Sequence, residues 1–156
     1  MATNAYTYRG RKISISTETA NDDQEETDFE GMTWTEVKGV GNVGSFGVDT
    51  NVVTYATLGE AVQSKSKGIT NAGDPTVECA RSDSDAGQEA MRAAGGAQVY
   101  DSYAFKVVNQ DGSTDYLRGL VMGPVNQGGG NEDFDLDVYT LGLVQEPVHV
   151  KAATGV

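Results

Sequence analysis

One cysteine, one histidine, one tryptophan and three prolines in 156 residues leave whole classes of chemistry without material. A single cysteine, Cys79, permits no intrachain disulfide and leaves the redox compartment open. In DPTVECA, Val77 and Cys79 alternate against Thr76 and Glu78, so the thiol is expected as an inert core group rather than a reactive one. His149 stands alone in a polar tail, where neither a zinc site nor a Ser-His-Asp triad can be built around it. Basic residues are scarce too: 11 Lys and Arg against 23 Asp and Glu give a formal charge of −12. A grip on nucleic-acid phosphates depends on Lys and Arg, so the balance argues against one, but not against an acidic surface that lets DNA pass without sticking. There is no basic-then-apolar leader and no apolar run near the ~20 residues of a membrane span. A soluble chain without membrane insertion is expected. Residues 128–130 are three glycines, but no Lys-Ser/Thr follows and the next element reads as a strand, which excludes a P-loop. No catalytic, cofactor or metal site is expected.

What is present reads as β. The length fits one domain over residues 1–156, and 38% apolar residues with 20 glycines make its core thin and its turns many. Alternation or β-branched texture marks strands near 12–17, 33–40, 46–55, 64–69, 74–80, 98–108, 116–122 and 134–144. The Asp-Gly pair in residues 109–114 signals a hairpin. One helix is expected over about 83–94, with Ser82 as its cap, Asp85 reaching back to the Ser82 amide, Arg92 near its negative end and Gly95-Gly96 as its stop. Its small face of Ala86, Ala90, Met91, Ala93 and Ala94 suits a lid on a sheet. The fold class is therefore mainly β, a β-sandwich or split barrel with one flanking α-helix and a long loop over about 41–73. Trp34, Phe105, Phe134 and Leu136 are the expected core anchors. Polar arms are expected at about 1–10 and 147–156.

Two acidic stretches stand out. Asp22, Asp23, Glu25, Glu26, Asp28 and Glu30 repel one another, which favours a solvated loop over a docking patch or cation site. In EDFDLDVYTLG, Asp133, Asp135 and Asp137 fall on one face of a strand and Phe134, Leu136 and Val138 on the other. A plain solvent face explains this pattern, and a calcium loop does not: Val138 stands at the turn-glycine position and Val144 at the bidentate-Glu position.

The order of these pieces resembles the tail tube (major tail) proteins of long, non-contractile bacteriophage tails, and more distantly the tubes of contractile tails and type VI secretion systems. The residues that carry it are TWTEVKGVGNVGSFGVD, TYATLGE, KSKGITNAGDPTVE, SDSDAGQEAMRAA and YAFKVVNQDGSTDYLRGLVMG, spanning about 33–145. The resemblance implies a non-enzymatic virion protein, assembled in the host cytoplasm. It would form homohexameric rings, stacked into a hollow tube around a tape-measure protein and meeting tail terminator and tail tip proteins. Double-stranded DNA passes through such a tube without specific binding. A candidate inter-ring loop then contains Val48, Asp49, Val52, Val53, Tyr55, Leu58, Lys65, Lys67 and Ile69, the alternatives being a mobile surface loop or a receptor site. DNA carries one charge per ~1.7 Å of axis and fields decay over ~10 Å. Asp133, Asp135 and Asp137, with Asp111 and Asp115 nearby, become candidate lumen-facing acids. A monomeric β-sandwich decoration or binding module is the rival from another class.

Overall fold

The computed structural model describes residues 5–152. In chain order its elements are β1 (Lys12–Thr19), α1 (Glu26–Glu30), β2 (Trp34–Val37), β3 (Val40–Val43), β4 (Asp49–Tyr55), β5 (Ser64–Asn71), β6 (Thr76–Ala80), α2 (Ala86–Ala94), β7 (Tyr103–Val108), β8 (Thr114–Asn126), β9 (Leu136–Leu143) and β10 (Val148–Val150). Eight strands form one antiparallel sheet in the order β2-β1-β7-β8-β9-β6-β3, with β10 beside β8, while β4 and β5 pair only with each other. Ile13 and Val37, near one end of this sheet, share a single apolar cluster with Val77 and Cys79, near the other. The sheet must therefore fold over on itself. It stays unclosed, so the molecule is a mainly β split barrel with a helix at its flank.

β8 makes the fold-over. Its first half pairs with β7, from Thr114↔Val108 to Gly119↔Tyr103, and its second half with β9, from Gly119↔Leu143 to Asn126↔Asp137. At the crossover a side chain on Gly119 would overlap the Gly142 carbonyl. The Asp-Gly turn closes the β7–β8 hairpin: Asn109 N–H donates to Ser113 O at 2.9 Å, and Gly112 adopts φ 88°.

The helix is later and shorter than the sequence suggests. Asp85, not Ser82, caps it, accepting from Gln88 N–H at 3.0 Å and from Lys38 N–H at 3.1 Å. Ser82 instead pairs its hydroxyl with Ser84. The buried face comprises Gly87, Gln88, Met91 and Ala94, and it plugs the open side of the barrel.

Four further expectations change. The predicted strand over 33–40 breaks into β2 and β3 at Gly39, whose φ of 78° suits glycine. The acidic loop contains α1, on which Phe29 is fully buried and stacks on Tyr116 with ring centres 5.0 Å apart. The outer parts of both terminal arms lie outside the described residues, but the C-terminal segment is not free: β10 pairs Val148↔Tyr116 and Val150↔Thr114. Of the four expected anchors, Phe105 is fully buried and Trp34 is half-buried against Tyr116. Phe134 is 83% exposed, because β9 starts two residues after it. Leu136 is half-buried, on the side of β9 opposite Tyr139.

Candidate assembly surface

The β4–β5 ladder runs from Asp49↔Asn71 to Tyr55↔Ser64, with an irregularity beyond Thr50. Thr50 and Thr70 share a hydrogen bond of 2.8 Å across it. Its base is tied down, since Gly47 N–H donates to Ala72 O at 3.3 Å and Ala72 belongs to the core. Beyond that base the hairpin extends from the barrel uncovered. Val52, Val53, Tyr55, Leu58, Val62 and Ile69 are all more than half exposed. An isolated two-stranded hairpin is marginal in water at best, and a contiguous apolar patch on a surface marks an interaction site. Lys65 and Lys67 are exposed on β5, and no carboxylate among the described residues lies within 4.0 Å of either.

The acids singled out in the sequence fall into two groups rather than one: the Asn126 amide donates to both Asp135 and Asp137, and Asp111 and Asp115 are linked through Ser113 and Asn109. Asp133 closes its own loop, accepting from Gly130 N–H at 2.8 Å. Asp135 faces Arg81 at 3.3 Å. Asp137 is 3% exposed and lies on the same face of β9 as Tyr139, Leu141 and Leu143, the reverse of a plain solvent face. Its carboxylate is held by Arg92 at 3.4 Å and by the Asn126 amide at 3.0 Å. The cation arrives from α2, so this contact was not visible in the local pattern.

Asp111 and Asp115 sit at the other end of β8 from Asn126. The Ser113 hydroxyl and amide both donate to Asp111, which holds its carboxyl below the usual carboxylate range. Asp115 accepts from Asn109 at 3.0 Å and lies 2.6 Å from His149 Nδ1, a contact that fastens β10.

Two polar groups that the sequence reading passed over hold the frame. Gln88 is fully buried; its amide donates to Lys38 O at 2.7 Å and Ala80 O at 2.9 Å, and it accepts from Ser82 N–H at 2.9 Å. Arg118 is buried within β8 and binds Asp23 at 2.7 Å, Gln145 at 2.9 Å and Ala20 O at 3.2 Å. The one clue to Arg118 was a charge inside the apolar run YLRGLVM. Burial raises the Cys79 thiol to about 11, with Asp137 adding to the effect. Among the described residues, no three His, Cys, Asp or Glu side chains converge as a metal site.

No family model matches the chain, and no curated protein sequence does. Solved structures do. A chain of an extracellular contractile injection system, the PVC sheath/tube terminator in its extended state, matches with a TM-score of 0.67 at 9% identity, over 97% of this chain and 100% of that one. The tube terminating cap of the anti-feeding prophage gives 0.65 at 11%, over 97% and 94%. This chain shares their fold. A chain of the PVC sheath-tube complex in the extended state matches at 0.61 and 13% identity, over 96% and 93%. The likeness runs end to end, so it covers the hairpin segment as well as the barrel and helix.

Proposed function

We propose that the chain is a ring-building subunit of a tail tube, a structural virion protein without a catalytic step. The observation that carries this reading is the β4–β5 hairpin, an apolar projection on a chain whose fold is similar over 97% of its length to a sheath/tube terminator and a tube terminating cap. A barrel that leaves a hairpin uncovered is completed by its neighbours. In the reading taken from sequence resemblance, six copies form a ring and rings stack around a tape-measure protein. Terminator and tip proteins close the ends, and double-stranded DNA passes through the bore of a long non-contractile tail.

The charge of −12 supports a conduit that repels rather than binds its cargo. Asp133 and Asp135, with Asp111 and Asp115, are the acids proposed for the bore. Asp137 contributes little free charge because it is buried as well as held by Arg92 and Asn126, whereas Asp135 stays exposed beside Arg81.

A second reading, a tube or tube-terminating subunit of a contractile system, is favoured by the source of the similar structures, which are contractile injection systems. Negative-stain microscopy of the concentrated protein tests the shared part: six-fold rings or hollow rods are expected. A single monomeric species on size-exclusion chromatography, even with tail partner proteins added, would favour the decoration-module rival and overturn the tube. A sheath around the assembled tube in native particles selects the contractile reading, and a bare tube the non-contractile one.

A further inference from the structure

The first and last described segments meet at the β7–β8 turn. One row of the sheet runs through Lys12, Val108, Thr114 and Val150, crossing β1, β7, β8 and β10. Beyond that row the Thr7 hydroxyl donates to the Gln110 side chain at 3.4 Å, and Ala152 lies beside Gly112. In a chain with 11 Lys and Arg in all, this end gathers Arg9, Arg11, Lys12 and Lys151, together with His149. No carboxylate among the described residues lies within 4.0 Å of any of these four cations, whereas Arg81, Arg92 and Arg118 each have one. The turn's own acids are already engaged, Asp111 by Ser113 and Asp115 by Asn109 and His149.

Arg11 is held in place. Its Nε donates to Asn109 Oδ1 at 2.9 Å, and the Asn109 amide is itself tied to Ser113 and Asp115. The guanidinium carbon sits 4.5 Å from the ring centre of Tyr8 and 5.4 Å from that of Phe46, a cation between two aromatic faces. An open hollow of about 510 Å³ adjoins it, lined by Tyr8, Arg11, Asn42, Ser45, Phe46 and Asp115. The fork is therefore fixed before any partner arrives, and its two terminal nitrogens have no hydrogen-bond partner among the described residues.

We propose that this end of the barrel docks an acidic segment of a partner protein. The inference goes beyond the tube reading and does not depend on it. A planar guanidinium matches a carboxylate with two parallel hydrogen bonds, and one that is already oriented loses less freedom in making them. Width sets the length of the segment. Three strand spacings of ~4.8 Å separate Lys12 from Val150, about 14 Å in all, which an extended chain rising ~3.3 Å per residue covers in about five residues. An Asp- and Glu-rich run of that length places one carboxylate on Arg11 and another near Lys151. A nucleic-acid strand fits this end less well, because it carries its charge onward over a molecule whose formal charge is −12, and fields there reach ~10 Å at moderate salt.

The test titrates the full chain into a rhodamine-labelled, blocked peptide of five alternating Glu and Asp residues and follows its anisotropy at low and at moderate salt. Saturable binding that weakens as salt is added is expected. Arg11→Ala should weaken it about tenfold or more, as for loss of a charge-assisted hydrogen bond. Arg11→Lys, which keeps the charge but not the fork, should fall between, and Arg9→Ala with Lys151→Ala should weaken binding while leaving Arg11 in place. Lys38→Ala, at an exposed position near the start of α2, should change nothing. Absence of saturable binding by the wild type overturns the proposal, as does undiminished binding by an Arg11→Ala protein that melts like the wild type. An equal loss in Lys38→Ala would show that total charge alone is being read, and also overturns it. A short oligothymidylate that binds more tightly than the peptide and is lost with Arg11 would assign this end to nucleic acid instead. Wild-type protein that binds the peptide but forms no ring or rod with its tail partners removes the tube reading and leaves this site standing.

Discussion

Gly87 of α2 lies directly against the backbone of Glu36 on β2, so close that a methyl group there would overlap the Glu36 carbonyl. Backbone cannot step aside as a flexible side chain can. Gly87→Ala is therefore expected to lift the helix from β2 and lower stability by ~2–3 kcal/mol, at the upper end for overpacking. A chemical denaturation curve checks this.

Gln88 occupies the next position and makes three hydrogen bonds from a fully buried site. Gln88→Leu preserves helix propensity and volume but orphans the Lys38 and Ala80 carbonyls and the Ser82 N–H. A loss of about 2–4 kcal/mol is expected, since each unsatisfied buried group costs ~1–3. Gln88→Leu at wild-type stability would show that water replaces the amide.

The acidic segment is held by one cation. Arg118→Met should release residues 20–31, seen as faster amide exchange there, with Phe29 no longer fixed on Tyr116. Asp23→Asn should cost under ~1 kcal/mol, because Asp23 itself is exposed and solvent-screened. Equal effects from the two substitutions would contradict this division of roles.

Alkaline conditions should destabilise the subunit. Burial raises Cys79 from 9.0 to about 11 and raises Tyr139 above 10.0; burial, then Glu30 and Glu26, raise Tyr116. Each group is neutral when protonated, and the unfolded chain loses these protons first. Stability is full below pH 9 and declines as pH climbs toward 11, by up to ~1.4 kcal/mol per pH unit for each group titrating only when unfolded. A melting series from pH 8 to about pH 11 reads it. A flat profile would mean that the buried thiol and phenols are open to solvent.

Hairpin and barrel should respond separately. Tyr55→Ser with Leu58→Ser removes two apolar groups that are 71% and 109% exposed on the part of the hairpin beyond its tied base. The monomer's melting transition should stay within about ±0.5 kcal/mol of wild type, as for surface changes generally, while ring and rod formation is lost.

Much of the frame was legible from local pattern. Ile13 and Ile15 on β1 and Val77 and Cys79 on β6 alternate as half-buried strands do, and β8 and β9 lie where β-branched alternation put them. The hairpin over 48–71 was visible as strands because Val52 and Val53 favour extended backbone, but alternation does not say whether a strand's partner is its own chain. Where the reading failed, a distant residue decided. Asp137 looked solvent-facing until Arg92 came across from α2. Ser82 looked like a cap until the fold gave Asp85 a second donor in Lys38. Phe29 is a lone apolar residue among acids, with no period to announce α1, and only the ring of Tyr116 explains it.

β8 passes unbroken from the β7 side of the barrel to the β9 side. A load applied to either side is thus shared through one continuous backbone. The one place where its register shifts is between Met122 and Val125, so strain passed from one side of the barrel to the other has to cross the stretch around Gly123.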